Sequence, residues 1–159
     1  ACYVGKDEQK FYQYTMLEEA SRKRFIYAYK ENSSYSTIDF VIRAITFFGY
    51  APETIQTDNG SEFTHTKKTD KVHPLDKFCD KYHIYHKLIR PRTPWHNGKV
   101  ERSHRNDQER FYNHLSFYSF PDLQEQMKRY LHRSNNIPMS VLGWKSPNQK
   151  QIELENVCA

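Results

Sequence analysis

The chain has 159 residues, 37% of them apolar and 15% aromatic, with 24 lysines and arginines against 19 aspartates and glutamates, a net charge of +5. This length suits a single domain over residues 1–159, and the many tyrosines and phenylalanines supply the large surfaces one core needs. No apolar run approaches the roughly 18 residues of a membrane span, no secretory leader is legible, and three cysteines without a CxxC spacing argue against a disulfide framework or zinc ribbon; a cytoplasmic, reducing setting is expected.

In chain order, "ACYVG" reads as the end of a strand and "KDEQ" as the polar turn after it. The aromatic-rich runs "KFYQYTMLEE" and "RKRFIYAYKE", separated by "ASR", predict an antiparallel hairpin. In "SSYSTIDFVIRAITFFGY", serines stand at the N-cap, Ile38, Val41, Ile42, Ile45 and Phe48 recur at helical spacing, and Gly49 marks the stop. That pattern predicts an amphipathic helix buried on those five residues. "ETIQT" predicts a brief strand ending at Asp58, and "THTKKTDKV" a basic loop. "HPLDKFCDKYH" predicts a helix with Pro74 in its first turn and Leu75, Phe78, Cys79 and Tyr82 on one face. The strand "IYHKLIR" completes a β–α–β order around the Asp58 loop.

The loop "PRTPWHNG" leads into "KVERSHRNDQERFYNHL", which has helical propensity but only one aliphatic residue, Val100, between Lys99 and Arg110. A helix polar nearly all round is exposed or faces a polar partner. "FPDLQEQMKRYLHRSNN" predicts a final helix with Leu123, Met127, Tyr130 and Leu131 inward. The tail "IPMSVLGWKSPNQKQIELENVCA" reads as irregular, packing back through Val141, Leu142 and Trp144.

Asp58 at a strand end and Glu101 in the first turn of a helix are the kinds of position from which two carboxylates can meet. Hard oxygen ligands at a basic surface suit Mg²⁺ or Mn²⁺, which activate water or a 3′-hydroxyl for attack on a phosphodiester. Each residue also has a plainer account: Asp-Asn-Gly is a common turn, and Glu101 is spaced to pair with Arg105 on a helix surface. From Lys87 to Arg110 seven lysines and arginines face three acids, so Lys99, Arg102 and Arg105 are candidates for DNA phosphates. His96 and Asn97, with Trp95, are candidate DNA contacts in the preceding loop, while Asn59, Gly60, Glu62 and Gly98 are placed to support the carboxylates. His65, His73, Cys79, His83 and His86 raise a zinc site, but their spacing fits no familiar finger and Cys79 falls on an apolar face.

"TDNGSEF" followed by "HKLIRPRTPWHNGKVERSHR" resembles the integrase catalytic core of bacterial insertion-sequence transposases and retroviral integrases, the DDE family. The resemblance runs from the aromatic hairpin to "LGWKSPNQ" and covers nearly the whole chain. It implies an α/β, RNase H-like fold with a mixed five-stranded central sheet flanked by helices. It also implies divalent-metal-dependent DNA cleavage and strand transfer, with Mg²⁺ or Mn²⁺ held by Asp58 as second catalytic aspartate and Glu101 as catalytic glutamate. DNA, as element ends and target, is the implied partner, with a homodimer or larger assembly upon it; in a bacterial host the protein would be nucleoid-associated.

Two departures qualify this. The Asp58–Glu101 interval is long, with the excess attributable to the "THTKKTDKV" loop, where insertion costs little. The family's first aspartate belongs on the first strand, whereas Asp7 reads as a turn residue. The first strand is therefore expected to be truncated and that aspartate to lie upstream of Ala1, leaving these 159 residues alone poor at binding metal and unable to cut DNA. An RNase H-type nuclease and a non-catalytic DNA-binding or assembly module remain open as alternatives.

Overall fold

The computed structural model of the chain describes residues 2–4, 10–67, 69–90 and 98–158. Among the described residues five strands form: β1 (Cys2–Val4), β2 (Lys10–Leu17), β3 (Arg24–Tyr29), β4 (Thr54–Thr57) and β5 (Tyr85–Leu88). Both pairing senses occur. β1 is antiparallel to β2 in a sheet of order β1-β2-β3, and β4 is parallel to β5 in a second, two-stranded pairing. The helices are α1 (Ser34–Phe48), α2 (Pro74–Lys81), α3 (Gly98–Arg110), α4 (Phe120–Ser134) and α5 (Pro147–Cys158). Contacts cluster into two compact units, Ala1–Tyr14 with Tyr29–Ser103, and Thr15–Ala28 with His104–Ala159.

In the first unit α1 begins at Ser33, whose hydroxyl accepts from Ser36 N, and ends at Gly49, whose φ of 84° is the left-handed conformation glycine adopts without strain. The buried stripe differs from the one expected. Thr37, Phe40, Val41 and Ala44 face inward, while Ile42 is 48% exposed. A helix apolar on most sides offers more than one stripe, and tertiary partners choose among them: Phe40 meets the Tyr14 ring at 5.5 Å, and Thr37 Oγ1 donates to Glu62 O. α2 packs on α1 and β5, burying Leu75 and Cys79, although Tyr82 of its expected face is exposed as the C-cap residue. Ile55, Ile84 and Ile89 complete this core.

In the second unit α4 buries Leu123, Met127, Tyr130 and Leu131, the face its periodicity predicts. The tail does not remain irregular. Ser146 and Gln149 form a capping box, Ser146 N donating to Gln149 Oε1 and Gln149 N to Ser146 Oγ, and Pro147 opens α5 at the position proline favours. Asn148 N then donates to Asn135 O, fastening α5 to the end of α4. Val141 and Trp144, expected to pack inward, are 64% and 74% exposed because the chain turns through Gly143 and Trp144 with positive φ.

Candidate functional site

Asp58 stands at the exposed C-terminal end of β4. The parallel ladder runs up to it, since Ile89 N donates to Thr57 O at 2.9 Å, and the Asn59 side chain continues it by donating to Ile89 O at 2.9 Å. Asp58 Oδ1 accepts from Gly60 N at 2.9 Å, an Asx turn that fixes the carboxylate against its own loop. Phe63 N and Thr64 N both donate to Gly60 O, closing the loop behind it. A Cβ on Gly60 would lie 2.6 Å from Glu62 Oε2 and 3.0 Å from Asp58 Oδ1. The two carboxylates thus lean over one point above Gly60, bringing Asp58, Asn59, Gly60 and Glu62 together.

Beneath the strand end lies a chain of side chains in which the sequence singled out only His86, as a zinc candidate. Asp76 Oδ1 is 2.5 Å from His86 Nδ1, and His86 Nε2 is 2.8 Å from Thr57 Oγ1. The Thr57 hydroxyl also donates to Asp58 O at 3.0 Å. A carboxylate only accepts, so His86 Nδ1 donates to Asp76. The His86 side chain is 6% exposed. This Asp76–His86–Thr57 chain holds the peptide carbonyl of Asp58 from below.

α3 presents Glu101 in its first turn, exposed together with Lys99, Arg102 and Arg105. His96 and Asn97, with Trp95, lie outside the described residues. Among the described residues, nothing lies within 4 Å of a Cβ at Gly98. The opposite side of α3 is buried without apolar residues, through Ser103 and the fully buried Asp107. Asp107 Oδ1 pairs with Arg24 Nη1 at 2.6 Å and accepts from Tyr130 Oη at 2.9 Å, while Arg24 also donates to Ser134 Oγ and Tyr130 Oη. Asn135 accepts from Arg24 N and donates to Arg24 O, acting as a strand partner for β3. The polar helix thus meets a polar partner inside the second unit.

The donor chemistry suits a hard divalent ion. Mg²⁺ binds through one or two carboxylates plus water and phosphate oxygens, and the exposed Asp58 carboxylate keeps acceptor sites beyond the one Gly60 uses. Among the described residues no three His, Cys, Asp or Glu side chains form a ready-made cage. Among the described residues, the histidines and Cys79 do not gather into a group that could hold zinc. Burial, with Asp76 and Asp80 nearby, pushes the Cys79 thiol up to about 11, away from the thiolate that zinc needs. His73 is buried as the N-cap of α2, its Nδ1 accepting from Leu75 N.

Two sequence models, each described as Integrase core domain, match residues 1–94 and 82–147. A putative integrase, ORF3 of Spiroplasma virus SpV1-C74, is 30% identical over 137 residues, covering 80% of this chain and 38% of the relative. The retrovirus-related Pol polyprotein from transposon TNT 1-94 of Nicotiana tabacum is 25% identical over 142 residues, covering 87% of this chain and 10% of the polyprotein. The chain therefore spans well under half the length of either relative. Among solved structures, the HTLV-2 integrase catalytic core domain in complex with magnesium, in its trimeric form, superposes with a TM-score of 0.72 at 22% identity, over 94% of this chain and 89% of the other; the dimeric form gives the same TM-score at 23% identity.

Proposed function

Because the chain belongs to the integrase core domain family and shares the RNase H-like fold of its structural neighbours, we propose that it is the catalytic core of a DNA transposase or integrase that cuts and joins DNA phosphodiesters. The observation that carries this reading is the Asp58 strand end, held from below by Thr57 and His86 and from the side by Gly60 and Asn59. Asp58 and Glu101 would hold Mg²⁺ or Mn²⁺, which when bound lowers the pKa of an attacking water or 3′-hydroxyl and stabilises the leaving oxygen. Lys99, Arg102 and Arg105 bind phosphates and set the register of the DNA against the carboxylates, while His96 and Asn97 contact it from the preceding loop. The core acts as a homodimer or larger complex on element ends and target DNA.

The test is a DNA cleavage and strand-transfer assay with Mg²⁺ or Mn²⁺, using the full natural chain and its Asp58→Asn and Glu101→Gln variants. Each substitution is expected to lower the rate by about 100-fold or more while leaving DNA binding in place. Cleavage without joining would replace this reading by a nuclease. Binding without any chemistry in the unsubstituted protein would replace it by a non-catalytic module.

A further inference from the structure

The second unit contains a basic hollow that this chemistry leaves unused. It encloses about 220 Å³ among the C-terminal end of α3, the connector that follows, and α4. Arg110, Arg129 and Arg133 line it with His114, and no carboxylate does. Its floor is the Phe111–Tyr130 stack, with ring centroids 4.8 Å apart and both side chains buried.

Plainer accounts cover part of this. Arg110 and Arg133 sit in the last turns of their helices, where a cation favours the helix dipole. Arg129 lies 3.7 Å from Glu125 in an exposed pair of the kind worth little. Neither account explains why three guanidinium groups and an imidazole surround one concavity from two helices and a connector. Among the described residues, no ion pair joins the side chains of Arg110 and Arg133 to an acid, whereas Arg129 has Glu125. An anion entering the hollow would offset their mutual repulsion. Guanidinium forks match phosphate oxygens, and the buried ring faces leave no platform on which a base could stack.

We propose that this hollow is a second DNA-binding site, taking a backbone phosphate through Arg110 and Arg133; the proposal rests on the reading of the chain as a DNA-processing core. Arg110 lies about 12 Å further along α3 than Arg102, too far to share its phosphate. The site adds grip and register without reading sequence.

Arg110→Gln, Arg133→Gln and the double variant test it, by fluorescence anisotropy on two duplexes of unrelated sequence across a salt series, with thermal melting to confirm folding. Binding is expected to weaken equally on both duplexes. The slope of log affinity against log salt should become shallower by about 0.9 per arginine and about 1.8 for the pair. Unchanged affinity and slope would overturn the site. So would unchanged DNA binding with altered self-association in light scattering, which assigns the hollow to an acidic protein segment. Strand transfer measured separately keeps the two readings apart: joining with unchanged salt slopes defeats only this site, and arginine-dependent binding without joining defeats only the proposed catalysis.

Discussion

His86 shows how a residue of modest appearance in the sequence becomes central in the structure. Its ring joins Asp76 to Thr57, and through the Thr57 hydroxyl it reaches the Asp58 peptide. Substitution by alanine removes two part-buried hydrogen bonds, one to a carboxylate, and should destabilise the protein by about 1–2 kcal/mol. It should also lower metal-dependent strand transfer by about 10- to 100-fold, as loss of a supporting partner does at metal sites. A His86→Ala protein with the parent's Mg²⁺ titration and rate would show that Asp58 is held by its own loop alone. The sequence could not reveal this chain, because Asp76, His86 and Thr57 come together only once β4 and β5 pair and α2 packs beside them. The strand-end place of Asp58 was legible from the β-prone "ETIQT" before it, while its candidate role needed "NGKVER" downstream.

Among the elements, α2 links stability to pH. Burial lowers the pKa of His73 below its ordinary 6.5, and the neutral ring's Nδ1 caps the helix by accepting from Leu75 N. Since the folded value is depressed, the stability it contributes is present above the unfolded pKa and is lost as pH falls through the folded one. Thermal melting from neutral to mildly acidic pH should reveal a fall of about 1 kcal/mol, and His73→Asn, which caps without titrating, should flatten that part of the curve. An identical pH profile in the variant would remove His73 from the account. Element boundaries were mostly readable from periodicity and caps, and α4 buries the face expected. α1 was misread because its apolar residues outnumber one stripe, and the Thr37–Glu62 contact that selects the stripe is long-range. α5 was missed although "SPNQ" carries a capping box, because the sequence behind it has almost no amphipathic pattern.

For the molecule as a whole, Arg24–Asp107 is the buried ion pair on which the second unit turns, with 6% and 0% of the two side chains exposed. Asp107→Asn would leave the guanidinium buried without its counter-charge and should cost about 3–5 kcal/mol by chemical denaturation. Replacing both residues by apolar ones of similar size should recover much of the loss, and a deficit under about 1 kcal/mol for Asp107→Asn would mean that water already shares the site. No amount of local pattern would have disclosed this pair, since β3 and α3 are distant in sequence and an aspartate on a polar helix passes for a surface residue. The pair also sets where α3 is quiet and where it breathes. Asp107 is pinned six residues beyond Glu101, whose turn projects into solvent at the helix start, where ends fray. Amide protons near Asp107 should exchange slowly and those near Glu101 quickly, which native-state hydrogen exchange reads directly. On the proposed function, the glutamate pays its ordering entropy only on engagement, a brake against chemistry on the wrong strand.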